Sequence, residues 1–195
     1  MKKAESDFTR LFFESNGIKF SSFRNWVFYP GMLFESQKKW WNEGKQRTKP
    51  HQGVDLCFYR TEVKKVDRIK PGMFVPSLFS GYVVSVVDDY LGKSLFVFSH
   101  PDLLWAYGHL DLDVDIKEGK ELKEGQILGV ISQNVKNGIF PHIHISIGRV
   151  IGKATQRLDW NLINEDAIIK LVDPMPYISS EYELMSSFRA EKNKK

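Results

Sequence analysis

The 195 residues suffice for one domain of ordinary size with elaborations. Hydrophobic residues make up 42% and charged residues 27%, which excludes a disordered chain. The single cysteine, Cys57, excludes an internal disulfide and a thiolate metal cluster. No run is long and apolar enough to be expected to cross a membrane. The formal charge of +4 is a mild excess carried largely by residues 189–195. A solvated tail explains it without a nucleic-acid partner.

Met1-Lys2-Lys3 opens like the charged start of a signal peptide, but Glu5, Asp7 and Arg10 interrupt the stretch where an apolar run would stand. No targeting signal is visible, so the chain is expected to be cytosolic or to have lost a targeting segment. Over residues 5–15, Phe8, Leu11 and Phe12 fall at helical spacing and predict a short amphipathic helix. Residues 20–50 read as irregular, with Trp26, Phe28, Tyr29, Trp40 and Trp41 able to line a binding groove but expected to pack against the main domain. From His51 the texture changes to strands. Val54, Leu56 and Phe58 alternate with Asp55, Cys57 and Tyr59, the period of a strand with one buried face. Further strands are expected at 81–87 and 94–99, and at 103–110 after a turn at Pro101-Asp102, the last two as a hairpin. Glu118-Gly119 and Glu124-Gly125 mark tight reversals between short strands. Residues 141–148 give the last clear strand. Helices are expected over 161–171 and 181–190. The fold class is mainly β, a compact antiparallel β-sheet core with short N- and C-terminal helices. Its divisions fall at 1–49 for an N-terminal helical and irregular segment, 50–178 for the β-domain, and 179–195 for a C-terminal helix and basic tail.

Five histidines are present, at 51, 100, 109, 142 and 144. His142 and His144 flank Ile143, so both imidazoles project from one face of a strand. One could bind a metal ion while its neighbour stands ready for proton transfer or hydrogen bonding. His51 precedes Asp55 by four residues, about 13 Å in a straight strand, too far to share one ion. Gly53 between them is expected to let the backbone bend, so that His51 folds back beside Asp55. Two imidazole nitrogens and one carboxylate oxygen suit tetrahedral zinc and leave a fourth position for water. By strand alternation, Trp105, Tyr107 and His109 are expected on one face. His100 has no supporting pattern and reads as a turn residue.

Four segments in order are His51-x-Gly53-x-Asp55, Tyr107-x-His109-Leu110, Gly125-Gln126-x-x-Gly129 and Pro141-His142-x-His144, with Asp173-Pro174 and Tyr177 after them. In these the sequence resembles the lysostaphin-type, or LytM-like, zinc endopeptidases of bacterial cell walls, over roughly residues 51–177. Each motif is weak alone, and their order and spacing make chance agreement improbable. The resemblance implies that His51, Asp55 and His144 ligate Zn2+ and that His109 and His142 are catalytic. It also implies a duplicated hybrid motif, or barrel-sandwich hybrid, and a peptidoglycan peptide as substrate. If a signal segment was removed, the protein would be periplasmic, secreted or cell-wall associated. The sequence leaves the oligomeric state open, with a monomer favoured. Residues 130–138 lack the glycine- and threonine-rich composition of relatives. No Phe-Gly-x-Arg precedes His51, and the stretch 149–172 is longer than expected.

Three alternatives compete. An inactive family member would regulate another cell-wall hydrolase by binding it, but such proteins usually lose ligands, and here every position is filled. A biotinyl–lipoyl carrier would need a lysine at a hairpin tip, usually beside methionine, and no Met-Lys-Met occurs. A different zinc peptidase class would show His-Glu-x-x-His, which is also absent, or a wider His-to-Asp spacing. The N-terminal segment, whose aromatics lie near His51, is expected to pack against the β-domain and partly restrict access to the site.

Overall fold

The structure, a computed structural model, describes residues 7–42, 44–61, 65–133, 139–152, 158–164, 167–179 and 182–186. In chain order the elements are α1 (Phe8–Ser15), β1 (Phe23–Phe28), β2 (Val54–Leu56), β3 (Phe58–Thr61), β4 (Val66–Arg68), β5 (Phe74–Pro76), β6 (Gly81–Asp88), β7 (Lys93–Ser99), β8 (Leu103–Leu112), β9 (Glu121–Leu122), β10 (Ile127–Ile131), β11 (Ile143–Val150), β12 (Ile169–Val172), α2 (Met175–Ile178) and β13 (Tyr182–Leu184). A large sheet runs β12-β11-β8-β7-β6-β9, every pair antiparallel. Strand β2 adds to β11, and β10 joins β5 to the far end of β8. A small sheet runs β13-β1-β3-β4. The fold is mainly β, as expected, with two helices and no closed barrel among the described residues.

The expected hairpin forms from β7 and β8, and His100 is exposed in its turn. Both expected Glu-Gly reversals are present. Lys120 N–H bonds to the Lys117 carbonyl and Gln126 N–H to that of Lys123. Gly119 (φ +82°) and Gly125 (φ +78°) take the third position of each turn, where a positive φ favours glycine.

Helix α1 forms where Phe8, Phe12 and Phe13 make an apolar stripe, and all three are fully buried. They pack in one cluster with Trp26, Leu56, Tyr107 and Ile145, so the chain before His51 helps build the core beneath the site. The expected start of the helix at Glu5 lies outside the described residues.

Four segments differ from expectation. The single strand expected over residues 54–59 is two, β2 and β3, which lie in different sheets, and every residue of the stretch is buried. Part of the irregular stretch is strand β1, whose Trp26, Val27 and Phe28 are all buried. With both faces covered the alternation disappears, and periodicity gives no strand signal. The helix expected over 161–171 is one 3₁₀ turn, Leu162–Asn164, followed by β12. Its apolar residues fit either period, and β11 offers a free edge for pairing. Ile163 and Ile169 bury against Phe96, Leu104 and Ala106. The helix expected over 181–190 is strand β13 where described, parallel to β1. It is held by two hydrogen bonds from Arg60 to Glu183. Residues 187–195, including the basic tail, lie outside the described residues.

Candidate metal centre

The site is built from one row across three strands. Asp55 of β2 pairs with His144 of β11, which pairs with Gly108 of β8. Cross-strand partners share a face, so Asp55 and His144 project together. Val54, Leu56, Ile143, Ile145 and Tyr107 take the opposite face and are buried. His51 enters from before β2, its backbone paired with Glu35 and Ser36. Gly53 matters for a reason other than bending. A Cβ there would lie 2.1 Å from the Ile145 carbonyl oxygen, so glycine permits the close approach to β11.

These placements bring three donor atoms together. His51 Nε2 lies 3.1 Å from His144 Nδ1 and 3.2 Å from Asp55 Oδ1. His144 Nδ1 lies 2.8 Å from Asp55 Oδ1. Tetrahedral ligands at zinc distances stand about 3.3 Å apart, so the triangle matches one face of such a site. His51 Nδ1 sits 3.1 Å from the Leu33 carbonyl. A carbonyl only accepts, so this nitrogen carries the proton and Nε2 offers a lone pair. His51 Nε2 and Asp55 Oδ1 therefore face each other as two acceptors, an arrangement that requires a cation or a proton between them. His144 Nε2 lies 2.9 Å from Ser146 Oγ, a partner that can accept its proton and free Nδ1 for a metal. The donor set fits zinc, and His51, Asp55 and His144 form a buried group able to hold a metal ion.

The second oxygen of Asp55 is also occupied. Trp40 Nε1 donates to Oδ2 at 2.7 Å, and an Arg47 guanidinium nitrogen lies 3.6 Å from it. Burial works against the Asp55 charge, but the surrounding His51, His142 and His144 outweigh it and hold the carboxyl well below the ordinary range. Burial pushes His142 and His144 down to about 4, so both imidazoles are neutral at pH 7.

His142 and His109 complete the cluster, their ring centroids 4.7 Å apart. His142 Nδ1 donates to the Phe140 carbonyl at 2.8 Å. Its Nε2 is 3.7 Å from Asp55 Oδ1. His109 does not share a face with Trp105 and Tyr107, which corrects the alternation. Two steps on β7, Lys93 to Leu95, oppose three on β8, Tyr107 to Leu110. The extra residue is a β-bulge, with His109 at φ +72°, and it reverses the phase of the strand. The bulge sits where β8 changes neighbour, from β11 up to Gly108 to β10 from Leu110.

A cleft of about 880 Å³ contains the cluster. Lys39, Trp41, Arg47, Lys49, Tyr90, Leu91 and Ile139 are among the residues that line it. Sequence reasoning missed Trp40, Ser146 and Asp89, which contact the cluster. Trp40 was visible only as an aromatic beside Trp41, and Asp89 falls between the two strands expected at 81–87 and 94–99, with no pattern to mark it. Asp89 Oδ1 lies 3.2 Å from His109 Nδ1, and its Oδ2 accepts the His109 backbone N–H at 2.8 Å. Burial would raise the Asp89 pKa, but hydrogen bonds from His109 and Ser94 hold it well below the usual carboxylate range.

No protein-family model matches the chain, and no curated protein sequence is similar to it. Solved structures do match. The catalytic domain of the antimicrobial peptidase lysostaphin from Staphylococcus simulans aligns with a TM-score of 0.50 at 20% identity, over 76% of this chain and 90% of that one. A mutant catalytic domain of the prophage-encoded M23 protein EnpA from Enterococcus faecalis aligns at 0.43 and 20% identity, over 65% and 88%. A zinc-containing peptidase from Vibrio cholerae aligns at 0.47 and 20% identity, over 83% of this chain and 41% of that one. On the likeness to lysostaphin, the chain has the fold of a lysostaphin-type peptidase catalytic domain.

Proposed function

We propose that the chain is a zinc metalloendopeptidase that hydrolyses peptide bridges or cross-links of bacterial peptidoglycan. In this reading His51, Asp55 and His144 are the zinc ligands, and His109 and His142 are the catalytic imidazoles. The convergence of His51 Nε2, Asp55 Oδ1 and His144 Nδ1 within 2.8–3.2 Å of one another carries it. The fold of lysostaphin, itself an antimicrobial peptidase, and the ordered motifs support this substrate class. The protein then acts as a monomer in the periplasm, outside the cell or at the wall. Among the described residues no helix is long and apolar enough to cross a membrane.

Zinc, when bound, supplies Lewis acidity to a scissile carbonyl and lowers the pKa of a water molecule toward neutrality. The rest falls to the chain. His142, with its proton held on Nδ1 by the Phe140 carbonyl, presents the Nε2 lone pair to the cleft. His109 Nδ1 is engaged by Asp89, which leaves its Nε2 for the cleft. Each imidazole can accept a proton from the nucleophile on its free Nε2, and the imidazolium so formed can support the oxyanion or pass that proton to the leaving amine. Trp40 holds the Asp55 oxygen that faces away from the donor triangle. Lys39, Arg47 and Lys49 in the lining of the cleft suit a peptide bearing carboxylates.

The test is digestion of purified cell walls of different cross-link chemistry, with mass spectrometry of the fragments and metal analysis of the same protein. The expected result is about one zinc per chain and peptide fragments cut at a single bond type. Zinc-loaded, folded protein that releases no fragment from any wall would overturn the substrate assignment. Protein that takes up no zinc would overturn the metal assignment.

A further inference from the structure

We propose that Asp89 is the positioning residue for His109. Its carboxylate holds the His109 main chain in the bulge and fixes the imidazole with the proton on Nδ1 and the Nε2 lone pair toward the cleft. The inference rests on His109 being one of the catalytic imidazoles.

Asp89 sits at the end of β6, in the turn that leads into β7, with its side chain 5% exposed. Its two oxygens meet five donors. Oδ1 accepts the backbone N–H groups of Leu91 at 2.7 Å and Gly92 at 2.8 Å and faces His109 Nδ1 at 3.2 Å. Oδ2 accepts the His109 backbone N–H at 2.8 Å and the Ser94 hydroxyl at 2.6 Å. A residue that only closed the turn would need the bonds to Leu91 and Gly92 and nothing more. The bonds to the backbone and ring of His109, twenty residues away, have no part in that turn.

They bear on a backbone that needs help. A side-chain-bearing residue at φ +72° is uncommon and persists where its surroundings over-determine it. Here Asp89 holds the N–H of His109, and the Ser132 N–H holds its carbonyl. The carboxylate carries no proton to donate, so Nδ1 must be the donor of the pair. Tautomer and ring direction are thereby set together, in the way an outer carboxylate orients an imidazole at other hydrolytic sites. Asparagine cannot replace it. Its amide NH₂ would confront three N–H groups on the Oδ1 side or the His109 N–H on the Oδ2 side.

The experiment combines imidazole nitrogen NMR with a double-mutant cycle of Asp89→Asn and His109→Ala. In the wild type the His109 ring is expected as the Nδ1–H tautomer when neutral, and in Asp89→Asn as a mixture. Turnover of Asp89→Asn is expected to fall roughly tenfold or more, and by no more than the ~10²–10⁴-fold that an acid–base imidazole supplies, with KM and zinc content held. In the His109→Ala background the same change should cost less than about twofold, because partners acting as a unit are non-additive. An Nε2–H tautomer in the wild type overturns the proposal, whether or not the variant folds. Equal losses in both backgrounds do so as well, since they would mark Asp89 as a general stabiliser. The NMR result does not depend on hydrolysis. A wild type with no peptidase activity but an Nδ1–H ring would therefore sink the enzymatic reading and leave the placement of His109 by Asp89 standing.

Discussion

His144 and His109 reach the same cleft from adjacent strands by opposite means. His144 lies in an unbroken ladder, with Asp55 on one side and Gly108 on the other. Its direction follows from the two-residue period alone. His109 lies one residue past that row, and regular alternation would turn it into the core with Tyr107. A bulge and a left-handed φ reverse it, and Asp89 anchors the result. The ladder fixes two corners of the donor triangle, Asp55 and His144, and His51 is held from before β2 by backbone bonds to Glu35 and Ser36. A proton-transfer group has to be aimed at a point off the ladder, which takes a local irregularity held by outside contacts.

The largest expected effect breaks the ladder side. His51→Ala, Asp55→Ala and His144→Ala should each reduce bound zinc from about one per chain to near none, with loss of activity, as read by metal analysis after dialysis. Full zinc retention in all three would refute the donor set. Next come the two imidazoles outside the triangle. His109→Ala and His142→Ala should keep their zinc yet cleave cross-linked peptide ~10²–10⁴-fold more slowly. Normal turnover by folded His109→Ala would make the bulge a packing feature, and zinc loss in His142→Ala would exchange the roles of the His142/His144 pair.

A smaller change sharpens the ladder side. Trp40→Phe removes the N–H that holds Asp55 Oδ2 while keeping a ring against His142, where the centroids are now 5.3 Å apart. Zinc affinity measured by chelator competition should weaken about 10–100-fold, and an unchanged affinity would show that the triangle is set by its own strands.

The smallest effect concerns pH and the bulge. Asp89 has its folded pKa depressed by its hydrogen bonds, below an unfolded value of about 3.9. Its contribution to stability is thus complete above the unfolded value and is lost as pH falls through the folded one. The melting-temperature gap between wild type and Asp89→Asn should be widest near neutrality and close progressively below about pH 4. A gap that stays constant from pH 7 to pH 3 would mean that the carboxylate charge does not matter to the fold.

Much of the site was legible in the residues themselves. His142-Ile143-His144 declared a strand with two imidazoles on one face, and Asp55 stood opposite Val54 and Leu56. The Glu-Gly pairs announced their turns, and Phe8 and Phe12 announced α1. These signals are local, since side-chain direction and turn chemistry depend on neighbours a few residues away. The tertiary structure decided the rest. The half of β1 over residues 26–28 is buried on both faces and β13 adds to the edge of β1, so neither carries a period of its own. Gly53 is glycine because Ile145, ninety-two residues later, passes too close for a Cβ. His109 turns to the cleft because a bulge reverses β8, and Asp89 and Trp40 join the site through contacts 20 and 15 residues away in the chain. Contacts of that kind are fixed by strand register and packing, and no short window of sequence records them.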